Sequence, residues 1–395
     1  MTEPKYPAPG TFALAESADT VGHLWWRIAR PYSYLAKQGH PTFYGYHEAM
    51  DRIPIPDGTQ IIVLPNAGVT PGYESHMARW MTTQRRIHGR KFIYDTDDDW
   101  FTGDWVDWMV DSQMGAGKTR GELEEIRAAH HWLMTFCDAV TVSTGDLGDL
   151  VYHLRGGADG TYIIENAIDA EAFTDGVAHF PHRSEGEIVI GWAGGQRRQT
   201  DLVPMLKAWG KIAERHEFVT FSMAGWMPED YFSYVPEGRT VLWNWTLPGK
   251  HGRGMQVDIG CCPVPRTRFD QNKSPIKAYE FALAGAAVIG SSIPYGSVLE
   301  PWGIQGTVCG YMADTADEWE DAIEAYIQNP QMRRKHAERL RYVVDHQHTL
   351  HTQARKWART YRTIAGMESQ DDDVQGETTL QRGDRSADDN AGMRA

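Results

Sequence analysis

Cysteine is scarce: four residues, Cys137, Cys261, Cys262 and Cys309, with no CxxC spacing among them. Three lie in apolar runs, so neither a disulfide framework nor a zinc ribbon is expected, and a reducing, cytoplasmic setting is the simplest reading. No apolar run approaches the roughly 18–20 residues of a membrane-spanning helix, and the opening MTEPKYPAPG lacks the apolar core of a secretory leader. Bases are outnumbered, 39 Lys and Arg against 53 Asp and Glu, for a formal charge of −14. That balance argues against a long nucleic-acid groove, whose phosphates need a basic surface. A small anionic ligand held by a few local cations stays open.

A chain of 395 residues, 41% hydrophobic and 23% charged, reads as globular and as two or three domains. Residues 367–395 are the exception. Eight acids and three bases among Asp, Gly, Ser and Thr leave little to bury, so an acidic disordered tail is expected, with the RGD at 382–384 a chance tripeptide. Aromatic residues are plentiful, with 15 Trp, 17 Tyr and 12 Phe, and serve cores and sugar or base sites alike.

Strand-like and helix-like segments alternate. In the first half, 42–46, 60–65 (QIIVLP), 90–94 (RKFIY), 139–143 (AVTVS) and 161–164 read as strands, and 24–38, 74–88, 122–137 and 146–154 as helices. Residues 174–187 look like a linker. A second series follows, with strands at 188–192, 218–224, 239–242, 257–263 and 286–290, helices at 202–216 and 273–284, and a helical finish over 317–365. The alternation predicts βαβ units, hence two Rossmann-like domains whose crevice is the default ligand site.

Two segments could carry chemistry. In DQNKSPIKAYEFALAGAAVIGSS, the spacing predicts a helix over 273–284 capped by Ser274, with Pro275 in its first turn. Lys273, Lys277 and Glu280 would then share one face. Two cations at a helix N-terminus suit a diphosphate, and a carboxylate one turn deeper suits ribose hydroxyls. An ordinary amphipathic helix with a Lys–Glu pair gives the same pattern. In IVIGWAGGQRRQTDL, a strand runs into Gly194 and Gly195, where backbone N–H groups could approach a phosphate. It is not a G-x-G-x-x-G fingerprint.

These two segments, in this order, resemble the second half of GT-B glycosyltransferases, and most closely the large family 4 type. TVSTGDL at 141–147, IENAID at 164–169 with Phe173, the pattern of Arg27, Pro31, Leu35 and Gly39-His40, and Trp357 with Tyr361 in the last helix extend the likeness over roughly residues 20 to 365. The resemblance implies GT-B architecture: residues 1–175 as the acceptor-side domain, 186–345 as the nucleotide-sugar domain and 346–366 as a helix crossing back. It implies a metal-independent hexosyltransferase that uses a nucleoside diphosphate sugar such as a UDP- or GDP-hexose and retains anomeric configuration. Glu280 matches the second glutamate of the family's E-x7-E motif, the ribose ligand. Asn272 stands where relatives often carry the first glutamate, which blurs the donor sugar. Lys273 and Ser274 match a "KS" variant, and Gly194 and Gly195 the loop against the donor phosphates. Arg268 and Lys273, with Lys277 behind them, are the chosen diphosphate cations, and His251 a weaker candidate.

Three other features carry competing readings. Asp95-Thr96-Asp97 is literally D-x-D, the metal motif of the other glycosyltransferase fold, but that fold leaves the second half unexplained. Within DTDDDW, Asp97 or Asp98 would orient an acceptor hydroxyl or act as a base, unless the run merely caps a helix. GAGKT at 115–119 ends like a phosphate-binding P-loop but has Ser112 where the first glycine belongs. Trp25, Trp26, Arg27 and Arg30 offer a short basic, aromatic face for weak peripheral membrane contact. The acceptor is an unnamed hydroxyl compound. The rival readings are a non-catalytic GT-B-like binding protein, kept open by Asn272, and a sugar-nucleotide epimerase.

Overall fold

The computed structural model describes residues 10–15, 23–46, 54–66, 71–112, 117–157, 159–171, 185–243, 256–301 and 308–367. Phe173, His251, Gly115, Ala116, most of the expected linker and nearly all of the acidic tail lie outside the described residues.

The first half is a six-stranded parallel sheet built from β1 (Gly10–Ala15), β2 (Thr42–Tyr46), β3 (Thr59–Pro65), β4 (Lys91–Thr96), β5 (Ala139–Val142) and β6 (Thr161–Ile163) in the order β2-β1-β3-β4-β5-β6. The second half repeats the plan with β7 (Ile188–Gly194), β8 (Val219–Gly225), β9 (Thr240–Trp243), β10 (Ile259–Cys262), β11 (Ala287–Gly290) and β12 (Gly310–Met312) in the order β12-β11-β10-β7-β8-β9. Two parallel Rossmann-like sheets facing one another are the GT-B architecture. The order of strands along the sheet reverses between β1 and β3 and between β7 and β10, and ligands of open α/β sheets gather at the carboxyl ends of strands at such switch points.

The strands form because they are buried on both faces. Ile61 to Leu64 and Val189 to Ile190 are fully enclosed, the continuous apolar pattern of parallel sheets. β1 escaped the sequence reading although it lies inside the first sheet. Its GTFALA is short and follows a Pro- and Gly-rich stretch, and it starts at Gly10, where a Cβ would collide with the Gly58 carbonyl oxygen. The helix Gly103–Asp111 also went unread, behind an acidic, Trp-rich run that looks like a turn.

The final helix, Leu350–Ala365, packs on the first half although it follows the second. Trp357, Tyr361 and Ile364 join Ala13, Ile61, Val63 and Tyr32 in one core, and the Tyr32 and Tyr361 hydroxyls lie 3.0 Å apart. Where the chain crosses, Ile168 N–H donates to the His348 carbonyl at 2.8 Å and Leu350 N–H donates to the Ile168 carbonyl at 2.9 Å. Two passages between the halves are therefore tied into a short parallel bridge. No helix among the described residues is long and apolar enough to cross a membrane. Of the expected membrane face, Trp26 is 6% exposed and packs in the second half's core with Val189 and Phe281, and Arg27 is fully buried against Asp95.

Candidate active site

The carboxyl end of β4 carries four aspartates that do four different things. Asp95 is buried, and Arg27 grips both its oxygens, at 3.1 Å from Nε and 2.6 Å from Nη2. Thr141 Oγ1 adds a third bond at 2.6 Å. Burial alone would lower the Arg27 pKa, but the adjoining Asp95 carboxylate more than offsets it and the guanidinium is held above its ordinary value. Arg27 also donates to the Ile164 carbonyl. Asp95 is thus engaged within the first half by Arg27 and Thr141. Among the described residues no cluster of three or more His, Cys, Asp or Glu is placed to hold a metal.

Asp97 faces the crevice with His23 Nδ1 2.6 Å from its Oδ1. Burial favours its neutral form, yet the His23 interaction, followed by the Arg27 and Lys273 charges, holds the carboxyl well below the usual carboxylate range. Asp98 reaches across the crevice to Lys273, Nζ to Oδ1 2.6 Å. Asp99 ties the turn ahead of the next helix, whose N-cap residue is Thr102. The Asp99 carboxylate accepts from the backbone N–H of Phe101 and Thr102 at 3.0 and 3.1 Å and from the Thr102 hydroxyl at 2.7 Å, just ahead of the helix Gly103–Asp111. Desolvation raises its pKa.

In the second half, the helix expected over 273–284 is broken. A short helical turn, Arg268–Gln271, precedes an extended stretch, and the main helix is Ile276–Leu283. Pro275 is its N-cap residue and no side chain caps it, so Ser274 does not perform the expected task. Proline fixes the boundary, since the residue before it is driven out of the helical region. Ser274 Oγ accepts instead from Asn166 Nδ2 at 2.8 Å. Lys273 therefore leaves the face shared by Lys277 and Glu280. It lies 4.4 Å from the Phe269 ring centroid and 5.7 Å from that of Trp108, beside an aromatic pair drawn from both halves.

Glu280 is fully buried. One oxygen accepts from Lys277 Nζ at 2.7 Å, while Oε1 has no hydrogen-bond partner. A buried charged oxygen without a partner costs free energy, so one that persists calls for a ligand or ordered water. Gly194 is the last residue of β7 and Gly195 the first of the following loop; neither has a positive φ, so neither position is barred to other residues by backbone strain. A Cβ at Gly195 meets nothing within 4 Å, whereas one at Gly194 would lie 2.5 Å from Trp192 Cζ2. Beyond them Arg197 pairs with the buried Asp270 at 3.3 Å. Arg268 is exposed and forms no ion pair among the described residues.

Contacts across the crevice bring the expected residues together. Asn272, 5% exposed, donates to Asp99 and to the Arg268 carbonyl, both at 3.3 Å, and its own carbonyl accepts from Thr144 Oγ1 at 3.0 Å. Gln196 Nε2 donates to the Ser112 carbonyl at 2.9 Å, and Trp108 stacks on Phe269 with centroids 5.0 Å apart. Lys273, Asn272, Ser274, Asp97 and Asp98 form one group; Gly194, Lys277 and Glu280 line the second half beside it, and Arg268 stands apart. A cavity of about 780 Å³ opens beside Lys273 and Ser274, toward the β5–β6 and β11 edges of the two sheets. The segment at 117–119 is not a phosphate loop. Thr119 caps the helix Arg120–Phe136 in a reciprocal box with Glu122.

The sequence reading sets His23 aside as too weakly placed for a base, gives no role to Asn166, Arg197 or Asp270, and takes Arg27 only as part of a pattern. The signal for the first helix was present: His23 and Arg27 stand four apart, on one helical face, and both meet β4 aspartates.

No family model matches this chain. It is 26% identical over 183 residues to a Bacillus subtilis protein described as the teichuronic acid biosynthesis glycosyltransferase TuaH. That match takes in 44% of this chain and 45% of the relative, so it spans about half the length of each. Solved structures share the fold across nearly the whole chain. Anabaena HepE in complex with UDP and glucose superposes with a TM-score of 0.60 at 14% identity, over 90% of this chain and 100% of that one. Sucrose-phosphate synthase from Thermosynechococcus elongatus gives 0.64 at 13% identity, over 91% and 100%. A glycosyltransferase from Rickettsia africae gives 0.62 at 12%, over 91% and 99%. The chain has the GT-B fold.

Proposed function

We propose that this chain is a glycosyltransferase of the family 4 type that moves a hexose from a nucleoside diphosphate sugar to a hydroxyl acceptor, with retention and without a metal. The observation that carries the reading is Glu280: a fully buried carboxylate beside the β7–β10 switch point, with Lys277 on one oxygen and no partner on the other. A ribose hydroxyl is the group that would satisfy it. The UDP-bound HepE structure and the likeness to TuaH support the same substrate class.

On this reading residues 1–175 form the acceptor side, 186–345 the donor side and 346–366 the returning helix, in a cytoplasmic protein. Lys273 and Lys277 supply positive charge to the diphosphate, and Arg197, in the loop after β7, joins them. Gly195 lets the loop after β7 approach the phosphates. The acceptor hydroxyl oxygen bonds to the anomeric carbon as the carbon–phosphate oxygen bond breaks. The electron pair leaves on the diphosphate, which also receives the hydroxyl proton. Asp97, kept anionic by His23, and Asp98 hold that hydroxyl in place. The work is positioning and stabilisation of leaving-group charge.

A non-catalytic binding protein is the second reading, favoured by Asn272, whose side chain clasps Asp99 rather than pointing to a donor sugar. Incubation with radiolabelled UDP- and GDP-hexoses, with and without candidate acceptors, separates the two. Hydrolysis or transfer that Glu280→Ala removes supports the transferase; nucleotide binding with no turnover of any donor supports the binder.

A further inference from the structure

The last helix, Leu350–Ala365, has two unlike sides. Leu350, Ala354, Trp357, Ala358, Tyr361 and Ile364 turn inward onto the first half. Outward, His351, Arg355, Lys356 and Arg359 are exposed and Arg362 is half-buried. Arg355, Arg359 and Arg362 follow at spacings of four and three and so form one row. The helix contains no Asp or Glu, an exception in a chain whose formal charge is −14. Lys356 Nζ has Glu165 3.7 Å away, while Arg355 and Arg359 form no ion pair with another described residue. Like charges one turn apart repel, so the row gains from any anion that lies along it. The helix stops in a Schellman-type turn: Gly366 has φ 73°, its N–H donates to the Thr363 carbonyl at 3.1 Å, and the Met367 N–H donates to the Arg362 carbonyl at 3.0 Å. The left-handed glycine takes the chain off the helix axis. ESQDDD follows at 368–373, and residues 368–381 hold five acids and no base.

We propose that this cationic row binds the chain's own acidic C-terminal segment, with Asp371, Asp372 and Asp373 against Arg359 and Arg355. Reach selects these acids. Counted from Gly366, Arg359 and Arg355 lie about 10 and 16 Å back along the helix. The four to six residues from Met367 to the aspartates span up to about 13–20 Å when extended. The carbonyl pole at the end of the helix repels acids, but its field fades within the last turn, and both arginines stand farther back.

Two arguments favour this occupant over an external anion. A segment joined to the helix by a few residues is present at an effective concentration on the order of millimolar, which a free partner rarely matches. An anionic membrane repels a chain of net negative charge, and the row has no exposed aromatic or aliphatic side chain to insert, Trp357 and Tyr361 being buried. The contact consists of exposed ion pairs, so it loosens with salt. It masks the row from other polyanions and involves no substrate, so it stands apart from the transferase reading.

The test reads phenylglyoxal modification of single arginines in the full chain by mass spectrometry, with Arg86, exposed on the helix Glu74–His88, as reference. At low salt Arg355 and Arg359 should react more slowly than Arg86. In the triple variant Asp371→Asn, Asp372→Asn, Asp373→Asn, checked by circular dichroism, both should react about threefold faster while Arg86 is unchanged, and high salt should give the wild type the same gain. Heparin, a polyanion probe, should bind the variant more tightly than the wild type. Arg355 and Arg359 reacting as fast as Arg86 in the wild type, or rates indifferent to the three substitutions, would overturn the proposal. Protection that grows with protein concentration would place the segment on a second copy instead. Phosphatidylserine vesicles that bind wild type and variant equally would make the row a membrane site, and the proposal would fall.

Discussion

Lys273 Nζ lies 2.6 Å from Asp98 Oδ1, linking the loop before the main helix of the second half to the carboxyl end of β4 in the first. The cation that the proposed function assigns to the diphosphate is thus engaged by a carboxylate. Phosphate arrival has to exchange one partner for another. The pair is partly exposed, 18% for the Lys side chain and 33% for the Asp, so its net strength is modest, on the order of 1 kcal/mol. Asp98→Asn should therefore tighten UDP binding about threefold to fivefold in calorimetry at low salt. Weaker binding would mean that Asp98 orders Lys273 instead of competing for it.

Glu280→Ala removes the carboxylate with the unpartnered oxygen. It should weaken binding of the correct nucleotide by about 1–3 kcal/mol, the usual range for loss of a charged hydrogen bond. Calorimetry on a variant with wild-type circular dichroism is the measurement. Unchanged affinity would remove Glu280 from the site and, with it, the strongest support for the donor reading.

The pH dependence of stability has an identifiable source in His130. It is 2% exposed, its Nδ1 lies 2.7 Å from the Tyr94 hydroxyl, and its ring stacks on Trp100 with centroids 4.7 Å apart. Desolvation lowers its pKa to about 3. The unfolded chain takes up a proton near pH 6.5 that the folded chain refuses until about pH 3, so stability falls as pH drops through that window, by about 1.4 kcal/mol per unit. His130→Gln keeps an acceptor for Tyr94 but does not titrate there. Between pH 7 and pH 5 the variant should lose about 2 kcal/mol less than the wild type in urea unfolding, whatever its stability at pH 7. Equal losses would assign the acid sensitivity to other groups.

Strands such as QIIVLP and AVTVS were legible because parallel strands buried on both faces are written as runs of β-branched residues. The order of those runs was enough to give two α/β halves. The site was legible only where its chemistry is local. Lys277 and Glu280 sit three residues apart on one helix, so their pairing could be read; Lys273–Asp98 and Asn272–Asp99 join residues more than 170 positions apart. Nothing in DTDDDW says which aspartate meets Arg27, which meets Lys273 and which ties the following turn, since the assignment depends on strand direction and crevice geometry. The helix boundary at Ile276 could have been read from Pro275, had its effect on Ser274 been given more weight than its tolerance in a first turn.

Arg27 and Thr141 occupy Asp95, and that decides the metal question in testable form. Transfer should persist in excess EDTA with no stimulation by Mn²⁺. Arg27→Met, which strands a buried carboxylate, should cost about 3–5 kcal/mol of stability and lower the melting temperature. Activity that vanishes in EDTA and returns with Mn²⁺ would show that Asp95 exchanges Arg27 for a metal.

The two glycines after β7 separate into different experiments. The structure distinguishes them. Gly194 ends the strand, and a Cβ there would lie 2.5 Å from Trp192 Cζ2, in a ring that is 3% exposed and packed in the core of the second half. Gly194→Val should therefore destabilise by about 1–3 kcal/mol through overpacking, and its kinetics would report on folding as much as on the loop. Gly195 faces open space, with nothing within 4 Å of an added Cβ. Gly195→Val should keep the wild-type melting temperature. If the loop lies against the donor phosphates, the added side chain occupies the space the diphosphate needs, and turnover should fall at least tenfold, about 1.4 kcal/mol of transition-state stabilisation. Thermal melting and steady-state kinetics on the two variants in parallel make the comparison. A Gly195→Val protein with wild-type turnover and donor KM would show that the loop never touches the donor, leaving Glu280 and the lysines as the whole of the donor wall.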